Sequence, residues 1–241
     1  MLEKLEKFQV LLLGLIIAIG GVIASGIITS AISKNAISVT GSYSQNVVSD
    51  SGAFEFELKA NAPSKAAAYA VMNKQRPEVL KYLKEQGFED SNIEVKAPRG
   101  YDVYEVNYNG SSTNKIIGFN AAQSISVQSE DVQKIKKVST DITNLTAQGI
   151  DVTVYEPSYF YSKLSDLKVK MLQEATKDAK QRASAMLKAT HNRVGKIQSV
   201  RMGVFQITPV NSTNVSDMGI NDTRTIEKKI TSVANVTFSI K

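Results

Sequence analysis

The chain has 241 residues with 29 Lys and Arg, 23 Asp and Glu, one His, and neither Cys nor Trp. The absence of cysteine excludes disulfides, cysteine-ligated zinc, iron–sulfur clusters and thiol nucleophiles, and the single histidine excludes metal sites that need two imidazoles. The net charge of +6 is scattered among acids without a basic arm or an aromatic–basic motif, so we expect no nucleic-acid partner. Attraction to an acidic envelope polymer or lipid surface stays open.

The N-terminal region contains one long apolar run. Residues 10–28 read VLLLGLIIAIGGVIASGII, and Ser25 is their only polar residue. As a helix this run is about 28 Å long, which matches a hydrocarbon core of about 30 Å. It exceeds the roughly 7–15 apolar residues of a cleaved signal. The run predicts a transmembrane anchor over residues 10–32, with a long removed signal sequence as the alternative.

The charges around this run predict its orientation. Lys4 and Lys7 precede it, which favours a cytoplasmic location for residues 1–9. The remaining chain is then expected outside the cytoplasm, after a linker at residues 33–36. We therefore expect a single-pass protein of the bacterial cytoplasmic membrane whose main domain, residues 37–241, is periplasmic or extracellular.

Small residues recur within the predicted span. Gly14, Ala18, Gly21 and Ser25 follow each other at spacings of four, three and four, which places them on one helix face. Such faces let membrane helices approach closely. They form a candidate helix-association face, although Gly is also simply common in membrane helices.

The outer domain begins with two predicted strands, Ile37 to Thr40 and Ala53 to Ala60; the second alternates apolar residues with charges, as a strand buried on one face does. A helix follows from Ser64 to a C-cap at Gly87, and Pro77 is expected to kink or split it. Further predicted elements are the strands Ile93–Ala97 and Ile116–Ser129, the helix Glu130–Leu145, the strand Ile150–Tyr155, the helix Leu164–Ala189, and the strands Ile197–Ile207 and Ile226–Ile240. A polar, patternless stretch between Pro209 and Arg224 predicts a mobile loop.

This order, β-β-α-β-β-α-β-α-β-β, predicts an α+β domain of antiparallel sheets with three main helices, because strands arrive in adjacent pairs. The order is also compatible with two half-domains, each with its helices packed on one face of a sheet.

No residue pattern indicates catalysis. His191 follows the long helix, where it suits the helix dipole, and Asp166 and Asp178 lack the G-x-S-x-G serine that would complete a triad. Glu55 and Glu57 lie on the outward face of a strand, where solvated carboxylates are the ordinary interpretation. We therefore predict no catalytic, cofactor-binding or metal-binding residues, and no cofactor.

Seven aromatic residues concentrate in two short segments: Tyr101, Tyr104 and Tyr108, then Tyr155, Tyr159, Phe160 and Tyr161. Such rings can stack on glycans or contact proteins. We favour a structural role as cross-strand pairs, because aromatic residues have high β propensity.

Several stretches of the outer domain together resemble the SIMPL-domain family of bacterial envelope proteins. They are Ile37-Ser38-Val39-Thr40-Gly41, Val48-Ser49-Asp50-Ser51-Gly52-Ala53, Ile117-Gly118-Phe119-Asn120-Ala121, Ser129-Glu130-Asp131-Val132, Lys177-Asp178-Ala179-Lys180-Gln181-Arg182-Ala183 and Val194-Gly195-Lys196-Ile197. The chain departs from the family at Ser49, where Pro is often found. The resemblance implies a secreted or membrane-tethered α+β domain, often linked to stress tolerance and sometimes to large oligomers, without established catalytic residues.

The sequence therefore predicts a membrane-anchored, extracytoplasmic SIMPL-like domain that acts as a non-enzymatic structural or interaction protein. Its expected partners are the lipid bilayer through residues 10–32, further copies of itself, and an unknown envelope protein or glycan. The alternative is an envelope hydrolase or glycan-binding protein whose site forms only in the fold.

Overall fold

The structure is a computed structural model that describes residues 13–23 and 35–241. Residues 13–23 are helical and are called α1. The later elements are β1 (Ala36–Val48), β2 (Ser51–Ala62), α2 (Lys65–Glu85), β3 (Ile93–Val95), β4 (Arg99–Val106), β5 (Ser112–Ser129), α3 (Val132–Asp141), β6 (Asp151–Val154), β7 (Ser158–Phe160), α4 (Leu164–Lys188), β8 (Val194–Met202), β9 (Gln206–Pro209), β10 (Ile220–Asn221) and β11 (Glu227–Ile240). Short 3-10 helices span Asp90–Asn92 and Ile142–Gln148.

The predicted transmembrane anchor is only partly covered by this description. Residues 1–12 and 24–34 lie outside it, and with them the predicted cytoplasmic residues, Ser25 and half of the linker. Among the helices in the described ranges, none has the length and apolar character that a membrane crossing requires. The anchor at residues 10–32 therefore stays a prediction.

The α+β class is confirmed, but the element order differs from the predicted one. The sequence missed β4, β7 and β10. Strand β4 is exposed along nearly its whole length and so lacks the alternation that marks a half-buried strand. β7 has three residues and β10 has two, too few for any periodic signal. The sheets are not purely antiparallel either, because β9 and β10 pair in parallel.

The chain divides into two compact units. Unit 2 comprises residues 44–171 and 204–231, and its larger sheet has the strand order β3-β5-β2-β6, with β4 also paired to β5 and β7 to β2. β2 and β5 run antiparallel in an unbroken register from Gly52 opposite Ser129 to Ala62 opposite Phe119. One face of this sheet carries the core, because Phe56, Leu58, Ile125 and Val127 are fully buried there.

Helices α2 and α3 cover that face. The hydroxyl of Ser64 caps α2 by accepting the N–H of Ala67, and Gly87 follows the helix with a φ of +81°, as predicted for a C-cap. The prediction that Pro77 might split the helix is wrong, since α2 continues unbroken through it. The helix predicted to reach Leu145 ends at Asp141 and continues as a 3-10 turn.

Two further predictions, both in the C-terminal third of the chain, differ from the structure. The predicted strand Ile197–Ile207 is two strands, β8 and β9, because the chain leaves the sheet after Met202. The segment predicted as a mobile loop contains β10, and the N–H of Asp222 just beyond it donates to the carbonyl of Ile207. Alternation of apolar residues could not reveal this pairing, because it rests on backbone hydrogen bonds over two residues.

Within the described ranges, unit 1 comprises residues 13–23, 35–43, 172–203 and 232–241. Its core is formed by Ala175, Ala179 and Ala183 of α4 against Ala234, Val236 and Phe238 of β11. The small alanine side chains bring the helix close to the strands. Gly41 of β1 lies directly beneath the helix backbone, where a Cβ would fall 2.1 Å from the carbonyl oxygen of Ala175.

A candidate binding groove

A groove of about 710 Å³ lies in unit 2, on the sheet face opposite α2 and α3. Twelve residues line it: Ala53, Phe54, Glu55, Glu57, Lys96, Arg99, Ser124, Ser126, Tyr155, Glu156, Ser158 and Phe160. Most are charged, hydroxylic or aromatic. One face of this sheet is therefore apolar and packs against the helices, and the opposite face is polar and forms the groove.

Strand alternation explains how these side chains converge. In β2, Phe54, Phe56 and Leu58 face the core, so Glu55 and Glu57 between them face the groove. The register sets Glu55 opposite Ser126 and Glu57 opposite Ser124. A carboxylate on one strand thus has a hydroxyl on the next as its neighbour, which is the cross-strand pairing expected on one face of an antiparallel sheet.

Glu57 is the most enclosed of these carboxylates, with only 6% of its surface exposed. The prediction of a solvated carboxylate is wrong for this residue. Its side chain contacts the guanidinium of Arg99 directly, and Lys59 lies 3.9 Å away (Nζ to Oε2). Tyr155 lines the same groove. A buried carboxylate is tolerated where such partners compensate its charge.

Glu55 is held by a second cation. The ammonium of Lys96 donates to both carboxylate oxygens, at 3.1 and 3.2 Å. The hydrogen bonds from Lys96 and Ser124 lower the pKa of Glu55 and outweigh the opposing effect of burial. Glu55 is therefore ionised at neutral pH.

Aromatic side chains form the rim. Tyr155 and Phe160 are 48% and 46% exposed, although both line the groove. Desolvation and the adjacent Glu57 carboxylate raise the pKa of Tyr155, so its phenol stays protonated as a hydrogen-bond donor. The groove presents paired charges at its base and two exposed rings at its edge.

The two aromatic segments have different surroundings. Tyr159 is buried in the core of unit 2, as the structural interpretation expects. Tyr101, Tyr104 and Tyr108 are 58%, 42% and 96% exposed on and beyond β4, and none of them lines the groove.

The other residues singled out from the sequence lie outside the groove. Asp178 accepts the N–H of Ser42 and the Nε of Arg182, both at 2.8 Å, so it links α4 to β1. Asp166 is exposed in the first turn of α4. His191 ends the helix with a φ of 58°, and its backbone N–H donates to the carbonyl of Lys188.

The candidate helix-association face is described for three of its four members. Gly14, Ala18 and Gly21 are exposed on α1, and a Cβ built on either glycine meets nothing within 4 Å among the described residues beyond its chain neighbours and the backbone of the helix itself. Ser25 lies outside the described residues.

A second polar cluster is buried beside β9 and β11. The ammonium of Lys228 donates to the carbonyl of Asp222 at 2.7 Å and lies 3.5 Å from its carboxylate, and both side chains are at most 5% exposed. Burial lowers the pKa of Lys228 against the opposing effect of Asp222. Burial would raise the pKa of Asp222, but hydrogen bonds from Thr225 and Arg224, with the charge of Lys228, lower it. This cluster ties β11 to the preceding loop.

Sequence reasoning missed Lys96, Arg99, Ser124 and Ser126. Arg99 begins the unpredicted strand β4, and Lys96 stands in the connection that precedes it. The alternation in β2 was the one usable signal, since it placed both glutamates on one outward face. Within the described ranges, no three His, Asp or Glu side chains are grouped so that they could hold a metal ion. The groove residues supply hydrogen-bond donors, acceptors and aromatic rings that can orient a polar ligand.

Comparison with known proteins gives a family. No curated protein matches the chain. The family model called SIMPL, described as a protein of unknown function (DUF541), matches residues 37–240. This range includes β1 to β11 and both sides of the groove, and it confirms the resemblance seen in the sequence. The chain belongs to the SIMPL family.

Proposed function

We propose that this protein is a membrane-anchored, extracytoplasmic domain that acts by binding a partner rather than by catalysis. Its partner site is the groove formed by β2, β5 and the β6–β7 segment. The observation that carries the proposal is the pairing of buried or half-buried carboxylates with cations beneath two exposed aromatic rings.

The chemistry of the groove favours a hydroxyl-rich ligand such as an envelope glycan. Glu55 and Lys96, and likewise Glu57 and Arg99, are already paired, so a neutral ligand can hydrogen-bond to oriented charges without neutralising them. Tyr155 and Phe160 offer apolar faces with little conformational entropy to lose. Polar groups at the base and rings at the rim together suit a sugar, which has polar edges and apolar faces.

The rival function, glycan hydrolysis, has one observation in its favour: Glu55 and Glu57 line the same groove. Glycosidases use two such carboxyl groups, one of them with a raised pKa as the general acid. Here the pKa of Glu55 is lowered, and Glu57 contacts the guanidinium of Arg99. A lowered pKa does not suit a general acid, and Glu57 is already bound to a cation, so binding is the better supported function.

Membrane anchoring and self-association complete the proposal. Leu13, Leu15, Ile16, Ile17 and Ile19 of α1 are between 51% and 66% exposed, an arrangement that water disfavours and a lipid environment favours. Gly14, Ala18 and Gly21 would let two such helices approach closely in lipid. The link to stress tolerance rests on the family resemblance alone.

Binding is tested with the full chain in detergent micelles and a soluble tetrasaccharide of alternating N-acetylglucosamine and N-acetylmuramic acid. Titration calorimetry should show binding, and Tyr155→Ala and Phe160→Ala should each weaken it by about fivefold, since an aromatic contact is worth roughly 1 kcal/mol. The matched control is Tyr104→Ala, which removes a ring of similar exposure (42%) outside the groove and should leave the affinity unchanged.

The outcomes separate the two functions. Mass spectrometry of the incubated sugar should find it intact, whereas released disaccharide that disappears in Glu57→Gln would favour the hydrolase. Absence of binding, or equal losses in all three aromatic variants, would contradict the groove as a glycan site.

A further inference from the structure

The positive charge of the chain is concentrated in unit 1. Its described residues include eight Lys and Arg but only two acidic residues, a net charge of +6. Unit 2 has 18 Lys and Arg against 19 Asp and Glu, a net charge of −1. The overall charge of the protein is therefore a property of one unit and calls for a specific explanation.

The two acidic residues of unit 1 are already compensated. Glu174 pairs with Lys177 at 2.6 Å and Asp178 with Arg182 at 2.8 Å, both along α4. Six basic side chains remain, all exposed and without an ion pair among the described residues: Lys180, Lys188, Arg193, Lys196, Arg201 and Lys241. Lys180 and Lys188 lie on α4, whereas Arg201 is set opposite Asn235, and Arg193 and Lys196 adjoin Lys241 and Ser239, on the face of the strands opposite α4. These last four basic residues form an uncompensated basic surface.

Exposed apolar side chains accompany these charges on β8. Ile197, Val200 and Met202 are 51%, 45% and 55% exposed, but the register sets them opposite Phe238, Val236 and Ala234, on the face that carries α4. The basic residues of β8 lie on the other face, so the two groups do not mix. Within the described residues β8 pairs with β11 alone, so it has one edge free beside the basic face.

The path of the chain brings this surface close to the predicted anchor. The carbonyl of Asn35 accepts the N–H of Ile240, and Arg193 and Lys241 exchange two backbone hydrogen bonds at 2.8 Å. Residues 33 and 34 alone separate Asn35 from the end of the predicted span at residue 32. Three extended peptide units reach about 11 Å at most, which is close to the Debye length of about 10 Å at 0.1 M salt.

We infer that the basic surface of unit 1, with β8 at its centre, lies against the anionic lipid headgroups of the membrane in which the chain is anchored. This inference rests on the proposed anchoring. The occupant follows from charge complementarity and from the short linker. Phosphate-bearing headgroups supply the negative charge that Arg193, Lys196, Arg201 and Lys241 do not find among the described residues. Clustered Lys and Arg residues next to a membrane span bind anionic lipid in this way.

The absence of cysteine makes a site-specific test direct. The full chain carrying Ser199→Cys, an exposed position on the basic face, is labelled with an environment-sensitive fluorophore and reconstituted into vesicles of phosphatidylcholine, with or without 30% phosphatidylglycerol. A lipid spin-labelled near its headgroup then reports contact by quenching. We expect at least twofold stronger quenching with phosphatidylglycerol than without it, and loss of this difference at 0.5 M salt, where charges are screened.

Charge reversal identifies the residues responsible. Arg193→Glu, Lys196→Glu and Arg201→Glu together should reduce quenching to the level of pure phosphatidylcholine. The matched control reverses three exposed lysines of unit 2, Lys74→Glu, Lys136→Glu and Lys137→Glu, and should retain the quenching. Circular dichroism verifies that both triple variants are folded.

Two outcomes overturn the inference: equal quenching in both kinds of vesicle, or equal losses in the two triple variants. Failure of the anchoring is a different result, because the unlabelled chain would then be extracted from vesicles by alkaline carbonate. In that case the chain added to preformed vesicles still tests the surface, and failure to float with phosphatidylglycerol vesicles would overturn it.

Discussion

Gly41 provides the sharpest test of how unit 1 is packed. A Cβ at this position would lie 2.1 Å from the carbonyl oxygen of Ala175, 2.4 Å from the amide nitrogen of Ala179 and 2.8 Å from its Cα. All three atoms belong to the backbone of α4, so no side chain can rotate away. Gly41→Ala should therefore force the helix off the strand.

The magnitude follows from these distances. Carbon and oxygen atoms that are not bonded seldom approach within about 3.2 Å, so α4 would have to move by about 1 Å. That movement would loosen the contacts of Ala175 and Ala179 with Phe238 and stretch the 2.8 Å hydrogen bond from Ser42 to Asp178. Overpacking a core typically costs 1–3 kcal/mol, and more where the backbone must shift. We expect a loss of about 3 kcal/mol or more in the free energy of unfolding.

The assay is urea unfolding of the full chain in detergent, followed by circular dichroism. Gly118→Ala is the matched control: this glycine also lies within a long strand, yet the nearest atom to its Cβ is 3.4 Å away, an ordinary contact. It should change the free energy of unfolding by less than about 1 kcal/mol. If Gly41→Ala is as stable as Gly118→Ala, α4 does not lie this close to β1 and the packing described for unit 1 is wrong.

The remaining predictions concern buried charges. Lys228→Ala should lower the free energy of unfolding by about 3 kcal/mol, because it leaves the buried carboxylate of Asp222 without its ammonium partner. The control Lys137→Ala changes an exposed lysine and should leave the urea midpoint unchanged. The free energy of unfolding of the full chain should also depend on pH in the acidic range. Burial works against ionisation of Asp50, but two hydrogen bonds from Ser162 lower its pKa, and the pKa of Asp222 is lowered as well. Groups with lowered pKa values stabilise the fold above their unfolded pKa of about 3.9 and lose that contribution as pH falls through the folded value. The urea midpoint should therefore be level from pH 7 to about 5 and fall below about pH 4, and Asp50→Asn should make that fall shallower; an unchanged fall would remove Asp50 as a cause.

Much of the fold could be read from local periodicity. The 3.6-residue repeat of Leu167, Met171, Ala175, Ala179 and Ala183 predicted α4, and all five side chains are buried. Alternation in β2 predicted which of its faces meets the core. Periodicity could not predict β4, because nearly all of its residues are exposed, or β10, because its two residues form a strand only through pairing with β9.

The groove was less accessible to the sequence. Glu55 and Glu57 were recognised as sharing an outward face, and that placement is correct. Their environment was misjudged, because Arg99 and Tyr155 enclose Glu57 from positions 42 and 98 residues further along the chain. Burial of an outward-facing residue depends on what neighbouring strands place beside it.

The sequence by itself determined the family, the α+β class and the positions of the long helices, because each depends on residues that are near one another in the chain. Only the tertiary structure decided which charges are paired and which are left exposed. It brought Lys96 and Arg99 to the glutamates of β2, and it distributed the chain so that the described residues of one unit have a net charge of +6 and the other unit has −1. The physical reason is that electrostatic interactions act through space over about 10 Å, whereas hydrophobic periodicity acts along the chain.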